Sequence, residues 1–454
     1  MLRIPAIYFL LAMGTAQPAL KSVNPVVRKI VDSISQERIT ASLKKLESFQ
    51  TRNVFSATDN QEHGIGAARR WILAEVKSYS PRFEAGFDTH RVKKQGRIVR
   101  DVELVNVVAV LPGTLRRDRQ LIVSAHYDSA DYHRTPATEA SSDEVHFDLA
   151  QSEQSAPGVN DDGSGTAAVL ELARVLSQYE FEETIVFIAF AGEEQGLIGS
   201  TLYAAKARRE NRVIDAVLNN DIVGGARSGN GFTDNGRLRI FSEEPSDSLS
   251  REVARYAREI GERYLPSMKV DPVFRADRFA RGGDHTPFNQ EGYAAVRFTT
   301  PQENFSDQHT ATDTFANASA SYTTRVTKIN AAVLASLALA PAAPVVMQTI
   351  EKGERKGQIS AMIGRGKSRY DAQLKWKNEH PEPDLAGYVV TMRSTTSPFW
   401  EREIFAGNVN EFVMENVSID DAVFGVKAID RDGNESLVST YVYKPFPKRT
   451  IETY

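Results

Sequence analysis

Five short clusters of histidine and carboxylate residues contain the side chains in this sequence best suited to chemistry. The clusters are His126-Tyr127-Asp128-Ser129, the run from Gly158 to Gly165, Gly192-Glu193-Glu194, Asn219-Asn220-Asp221, and the run from Ser306 to Thr310. The chain has no cysteine, which excludes thiolate metal sites, cysteine nucleophiles and disulfide scaffolds. Imidazole and carboxylate groups without sulfur are typical ligands of Zn²⁺ or a similar divalent ion.

The charges of these groups favour two metal ions over one. Two Zn²⁺ ions bring four positive charges, which three carboxylates and one bridging hydroxide would balance beside neutral imidazoles. Two such ions can polarise a carbonyl and generate a nucleophilic hydroxide. The doublet Glu193-Glu194 offers one carboxylate as a ligand and one as a proton acceptor. From the residues alone, the prediction is metal-assisted hydrolysis.

The elements that must position these clusters alternate between strands and helices. Short β-branched apolar runs predict strands at 105–111, 121–125, 184–191, 212–218, 238–241 and 294–299. Helical spacing is found within 24–49, 66–79, 164–179, 248–262 and 324–338. This alternation predicts an α/β fold with a mostly parallel central sheet flanked by helices. Because the carboxyl ends of such strands meet at one crevice, we expect the clusters to converge there.

Composition changes at both ends of this region. Residues 1–16 have the layout of a signal peptide, with an apolar run too short to span a bilayer, so we expect a periplasmic or secreted protein without stable membrane insertion. The catalytic domain is assigned to 17–340, and the prolines of 341–344 predict a linker. In residues 345–454, apolar and polar residues alternate with a period of two, which predicts a small all-β sandwich. Trp376, the run 387–390 and the run 426–436 resemble a fibronectin type III domain.

The overall charge excludes one class of partner. Lys and Arg number 55 against 59 Asp and Glu, so the net charge is −4. Such a balance lacks the basic surplus of proteins that bind the phosphate backbone, and nucleic acid is not an expected partner. The sequence leaves the oligomeric state open.

Six motifs in a fixed order resemble the secreted di-zinc aminopeptidases of the aminopeptidase S and aminopeptidase Y type. They are HYDS, GVNDDGSG, AGEEQGLIGS, NND, GGDHTPF and QHTATDT, and they span most of 105–320. The resemblance implies a phosphorylase/hydrolase-like fold, two zinc ions and peptide substrates. It implies that the metal ligands are His126, Asp161, Glu194, Asp221 and His309.

The same resemblance assigns further roles. Asp161 would bridge the two ions, and a cis peptide bond would fall between Asp161 and Asp162. Glu193 would be the general base, and Asp128 would orient the ring of His126. Gln308 stands where the family often has a tyrosine that stabilises the oxyanion. The stretch of roughly thirty residues between Asp128 and Asp161 is long for a loop and predicts a lid or rim element.

Several alternatives remain beside an exported aminopeptidase. Carboxypeptidases, dipeptidases and glutaminyl cyclases are built on related folds, and a cyclase would use a single metal ion. A carboxypeptidase would need a cation facing the substrate carboxylate, for which the candidates are Arg275, Arg278, Arg281 and Arg297. A non-catalytic binding module is the alternative from another class, and the complete set of ligand positions with Glu193 argues against it.

Overall fold

A computed structural model describes the chain from residue 21 to 442, with gaps. The described residues are 21–131, 133–135, 144–146, 149, 152–243, 247–350, 352, 356, 359–380 and 382–442. They form two compact units, one from Val23 to Ala340 and another that begins at Pro341. The predicted signal peptide at 1–16 lies outside the described residues, as does much of the predicted lid. Among the helices of the described part, none is long and apolar enough to cross a membrane.

The first unit contains the described α-helices. They are α1 (Pro25–Asp32), α2 (Gln36–Ser48), α3 (Gly64–Tyr79), α4 (Gly163–Leu176), α5 (Ile198–Arg209), α6 (Leu249–Tyr264), α7 (His285–Gln290) and α8 (Ala320–Ala338). The helical region at 24–49 is divided because Ser35 caps α2, its side chain accepting a hydrogen bond from the backbone N–H of Arg38.

An eight-stranded sheet lies at the centre of this unit, in the order β1-β2-β6-β3-β7-β10-β8-β9. Its strands are β1 (Glu84–Val92), β2 (Val102–Leu111), β3 (Arg116–His126), β6 (Glu183–Phe190), β7 (Val213–Asn220), β8 (Arg237–Ser242), β9 (Lys269–Val273) and β10 (Ala295–Thr299); β4 (His133–Thr135) pairs with β5 (Glu144–His146) separately. The central strands β6, β3, β7 and β10 are parallel to one another, and the other pairings are antiparallel except β8 with β9. The predicted α/β fold with a mostly parallel central sheet is confirmed, with antiparallel pairings outside the four central strands.

Strand β6 illustrates why the sheet is buried on both faces. All of its residues are buried, and alternate side chains point in opposite directions. Phe187 and Ala189 pack towards α3 and α4. Ile188 and Phe190 pack on the other face, in a core with Tyr203 of α5 and with residues of α7. Helices on both faces hold the central strands rigidly, and the functional groups are attached where these strands end.

The second unit consists of small antiparallel sheets, as the period-two pattern predicts. Its strands are β11 (Val345–Val346), β12 (Gln348–Ile350), β13 (Ile359–Ala361), β14 (Ile363–Gly364), β15 (Ala372–Lys377), β16 (Leu385–Ser394), β17 (Arg402–Gly407), β18 (Glu411–Met414), β19 (Ala422–Asp430) and β20 (Ser439–Thr440). Trp376 and Tyr388 lie at the centre of its core, with ring centroids 5.5 Å apart. The fibronectin type III assignment stays a prediction.

Candidate metal centre

Most of the predicted site residues lie at one edge of the sheet, where three neighbouring parallel strands end. His126 is the last residue of β3, and Asp221 directly follows β7 on one side of it. Glu193 and Glu194 follow β6 on the other side. Because parallel strands end at the same edge, residues far apart in sequence become neighbours here.

Asp161 lies between the two histidines. It precedes α4, and the peptide bond from Asp161 to Asp162 is cis, as the resemblance implies. One oxygen of Asp161, Oδ1, lies 3.2 Å from Nε2 of His126, and the other, Oδ2, lies 2.9 Å from Nε2 of His309. A single carboxylate that faces two imidazoles in this way has the geometry of a bridging ligand.

The potential ligand atoms form two neighbouring groups, and the carboxylate of Asp161 belongs to one and contacts His126 of the other. One group contains His126, Glu193 and Asp221, and the other contains Asp161, Glu194 and His309; within each group the atoms lie within 4.8 Å of one another. Oε2 of Glu194 is 3.3 Å from Nε2 of His309. The structure thus brings together all five predicted ligands and the predicted base.

Asp128 is fully buried and has two roles in this geometry. The backbone oxygen of Asp128 accepts a hydrogen bond from Nδ1 of His126 at 3.1 Å, which leaves Nε2 directed at Asp161. The carboxylate of Asp128 lies farther from the ring, at 3.5 Å, and accepts from the backbone N–H groups of Glu193 and Glu194 at 3.4 and 3.3 Å. Asp128 therefore contacts the His126 ring mainly through its main chain, while its carboxylate fixes the Glu193-Glu194 turn.

Two buried aspartates that sequence reasoning left without a role hold the ligand segments from behind. Asp162 caps α4 through the N–H of Gly165 at 2.8 Å and also accepts from the N–H groups of His126 and Ile222, each at 3.2 Å. It thereby joins the ends of β3 and β7 to the start of α4. Asp313 accepts from the N–H groups of Asn160 and Asp161 at 2.8 and 2.9 Å, which fixes the backbone of Asp161.

Arg52 is fully buried, and the described hydrogen bonds of its guanidinium group all go to backbone carbonyls. Its Nε donates to the carbonyl of Tyr127 at 2.6 Å, and its Nη2 donates to that of Gly158 at 2.8 Å. Its Nη1 donates to the carbonyls of Leu46 and Pro157. The guanidinium group therefore ties the segment after β3 to the segment that leads to Asp161.

Arg297 supports the ligand at the end of β7. Its side chain is fully buried, with Nε 3.0 Å from Oδ2 of Asp221 and Nη1 3.2 Å from Oδ1 of Asp277. Burial opposes the charge of Arg297, but Asp221 and Asp277 raise its pKa above the ordinary arginine value, so the group stays charged. The sequence suggested Arg297 as a candidate for binding a substrate carboxylate. Its side chain is instead buried and paired with Asp221 and Asp277.

Comparison with known proteins identifies the family to which this constellation belongs. The model of peptidase family M28 matches residues 106–334, which contain every cluster described above. The chain belongs to peptidase family M28. A probable zinc metalloprotease of Pyrenophora tritici-repentis is 35% identical to it, covering 93% of this chain and 87% of the relative. One of Leptosphaeria maculans is 34% identical, covering 96% of this chain and 100% of the relative.

Solved structures share the fold of this M28 chain. The LapA aminopeptidase of Legionella pneumophila superimposes with a TM-score of 0.52 at 19% identity, covering 72% of this chain and 78% of LapA. A glutaminyl cyclase of Macrostomum lignano gives 0.52 at 17% identity, covering 70% and 95%. At these identities the likeness concerns the fold. The prediction that the chain is a peptidase is confirmed by the family.

The donor set of this M28 centre fits divalent ions. Burial raises the pKa of Glu194 well above its usual range, and the charges of Asp161 and Glu193 add to the effect. Burial opposes the charge of Asp161 too, yet His126 and His309 hold its pKa well below the usual range. Several carboxylates crowded in a buried site repel one another, and a divalent cation would remove that cost. Two imidazoles and three carboxylates offer ligands of the type that zinc prefers.

The M28 motifs contain three further features: the amide of Gln308, the backbone of His309 and the side chain of His285. Gln308 donates from Nε2 to Oδ2 of Asp161 at 2.6 Å, so its amide contacts the bridging carboxylate. His309 has a backbone φ of 57°, a conformation uncommon outside glycine, which directs its ring at Asp161. His285 is packed in the interior and donates to the carbonyl of Ala276 at 2.8 Å.

Proposed function

We propose that this M28 chain is an exported aminopeptidase that uses two zinc ions per chain to hydrolyse N-terminal peptide bonds. The observation that carries the proposal is the carboxylate of Asp161, which faces an imidazole on each side and joins two groups of ligand atoms. The two fungal relatives named as probable zinc metalloproteases support zinc as the metal. His126 and Asp221 would hold one ion, Glu194 and His309 the other, and Asp161 both.

Zinc ions bound there would polarise the scissile carbonyl and lower the pKa of a water molecule. The chain supplies a proton acceptor beside them. Burial raises the pKa of Glu193 well above its usual range, and the neighbouring carboxylates of Asp221 and Asp284 reinforce the shift, which makes Glu193 a stronger base. Glu193 takes the proton of the attacking water and passes it to the departing amine. The N–H contact with Asp128 fixes Glu193 in place.

The charge of the centre favours a substrate with a free amino terminus. Asp161, Glu194 and Asp221 balance most of the charge of two zinc ions, and Glu193 adds a further carboxylate. An α-ammonium group is attracted to such a site, whereas a substrate carboxylate would be repelled by Glu193. This distribution supports an aminopeptidase over a carboxypeptidase.

The test combines a metal count with two substrates and one variant. Metal bound to the purified protein is counted by mass spectrometry, and hydrolysis of leucine p-nitroanilide is compared with that of its N-acetyl derivative. We expect about two zinc ions per chain and cleavage of the free-amine substrate only. Glu193→Gln should lower kcat by about 10²–10⁴-fold with metal retained, because it removes the proton acceptor. Glu62→Gln, an exposed change, should have no effect.

Each contrary outcome identifies another function. Cleavage of the blocked substrate would indicate a carboxypeptidase or an endopeptidase, and activity confined to dipeptides would indicate a dipeptidase. One metal ion per chain with cyclisation of N-terminal glutamine would indicate a glutaminyl cyclase. No metal and no turnover would leave a binding module. Export is tested separately, since N-terminal sequencing of secreted protein should begin at Gln17.

A further inference from the structure

A cleft of about 640 Å³ lies next to the metal centre, and none of the predicted ligands lines it. We call it the arginine pocket and define it by Arg239, Arg278, Arg281, Glu303, Phe279 and Phe305. Thr299 and Thr300, at the end of β10, form part of its lining. Phe279 and Phe305 are 85% and 62% exposed, so two aromatic rings line the pocket while contacting solvent.

The sheet fixes the separation between the arginine pocket and the metal centre. Thr300 donates its backbone N–H to the carbonyl of Ile222 at 2.9 Å, directly beside the ligand Asp221. Strand β10 lies between β7 and β8, and Arg239 of β8 stands opposite Thr299. Two strand spacings separate Arg239 from the level of Asp221, which is roughly 10 Å between backbones. A peptide whose scissile bond lies at the metal centre would therefore place its neighbouring residues close enough to contact Arg239.

Most of the charges around the arginine pocket compensate one another. Nη1 of Arg278 lies 2.9 Å from Oε2 of Glu303, and Nη1 of Arg281 lies 3.2 Å from the same oxygen. Arg278 also contacts Asp277 through Nε at 2.9 Å. Arg278 and Arg281, two of the arginines suggested by the sequence for binding a carboxylate, are therefore engaged with the protein's own acidic groups.

Arg239 is the exception. Within the residues that the structure describes, its side chain has no hydrogen bond or salt bridge and is exposed. The strand neighbours Leu238 and Ile240 are buried, so the alternation of β8 holds Arg239 on the pocket side. A guanidinium group in a partly enclosed cleft offers paired N–H donors to a carboxylate.

We propose that Arg239 binds a carboxylate of the peptide substrate and gives the enzyme a preference for acidic peptides. The inference depends on the proposed peptidase function and adds a substrate class to it. The carboxylate could belong to the side chain of an N-terminal Glu or Asp, or to the free C-terminus of a dipeptide. Phe279 and Phe305 would contact the apolar part of the same residue.

Two matched substrate pairs distinguish the two sources. Glutamate p-nitroanilide against glutamine p-nitroanilide tests a side-chain carboxylate, and Leu-Gly against Leu-Gly-amide tests a C-terminal one. We expect kcat/KM to favour the acidic member of one pair by about tenfold, the effect of one partly solvated charge-assisted hydrogen bond. The preference should decrease with added salt, because exposed charges are screened.

Variants assign the effect to one residue. Arg239→Gln should abolish the acidic preference while leaving leucine p-nitroanilide within about twofold of wild type, and Arg239→Glu should shift the preference to lysine p-nitroanilide. Arg237→Gln, two residues earlier on β8 and outside the pocket lining, is the control and should keep the preference. Equal rates within both pairs, or an equal loss on every substrate in Arg239→Gln, would overturn the inference while leaving the peptidase function intact. Failure to cleave leucine p-nitroanilide would instead refute the proposed function.

Discussion

Arg52 offers the sharpest test of how the metal centre is supported, because it is buried and touches no ligand directly. We predict that Arg52→Met strongly destabilises the Val23–Ala340 unit and weakens metal binding. The substitution removes hydrogen bonds to four carbonyl groups in three segments of the chain. Two of these carbonyls, of Pro157 and Gly158, belong to the segment that leads to Asp161.

The expected loss of stability in Arg52→Met is the difference between the hydrogen bonds lost and the desolvation cost relieved. Four hydrogen bonds from a charged donor, at about 1.5–3 kcal/mol each, give a gross loss of roughly 6–12 kcal/mol. Removing a buried charge returns several kcal/mol of desolvation, a cost seen in the pKa of Arg52, which burial lowers to about 10. The net destabilisation should be about 3–5 kcal/mol. Arg52→Lys keeps the positive charge but makes fewer hydrogen bonds, so its free energy of unfolding should lie between those of Arg52→Met and wild type.

Urea unfolding of the metal-free proteins, followed by the far-UV signal of the helices, measures this free energy. The described helices all lie in the Val23–Ala340 unit, so the signal reports on that unit. Competition with a chromophoric chelator measures zinc affinity, which should fall about 10–100-fold in Arg52→Met, as for other groups that position metal ligands.

Arg70 provides a matched control. Its guanidinium group also donates to two backbone carbonyls, those of Thr58 and Asn60, but in contact with solvent. Arg70→Met should therefore cost about 1 kcal/mol or less and leave zinc affinity unchanged. The reasoning is refuted if Arg52→Met stays within 1 kcal/mol of wild type, roughly the net value of a single hydrogen bond, or if both variants lose stability equally.

Three further changes act on the carboxylate of Asp161, on its hydrogen-bond donor and on the metal. Asp161→Asn should retain the fold, as measured by circular dichroism, but bind about one zinc ion or fewer, because a neutral amide is a poor bridging ligand between two zinc ions. Two zinc ions retained by this variant, as counted by mass spectrometry, would contradict the bridging role. Gln308→Leu removes the donor 2.6 Å from Oδ2 of Asp161 and should weaken zinc affinity about tenfold, measured by chelator competition; an unchanged affinity would show that this bond is dispensable. Removal of zinc with a chelator should lower the Tm, and added zinc should restore it. The stabilisation by zinc should amount to about 2.7 kcal/mol where the free zinc concentration exceeds Kd a hundredfold. Identical melting curves with and without zinc would argue against ions that neutralise the buried carboxylates.

The sequence predicts the central strands well because each has a strong local pattern, and most of the predicted ligands come together because they follow those strands. The run from Thr184 to Ala191 is continuously apolar and forms β6, buried on both faces. The edge strands β1 and β9 were missed because edge positions do not require such runs. β1 alternates exposed and half-buried residues, and β9 contains Pro272, which only an edge strand readily accepts.

The supporting residues could not be predicted for a different reason. Arg52 bonds to carbonyls 75 to 106 residues away along the chain, apart from that of Leu46, and no local spacing encodes such partners. Asp313 lies within the QHTATDT motif, but its bond to the backbone of Asp161 depends on the return of the chain to α4. The motifs indicate which side chains converge on the candidate metal centre, whereas tertiary structure decides which residues hold those side chains in place.

The succession of β6, β3 and β7 in the sheet has a consequence for how this enzyme can vary. The predicted ligands after these strands follow the spacing of about 4.7–4.9 Å between hydrogen-bonded strands, so the separation of these groups is set by the centre of the sheet. Arg239 and Phe305, by contrast, belong to the next strand pair and its connections. Substrate preference can therefore be re-engineered at the pocket while the spacing of the reactive groups stays constant.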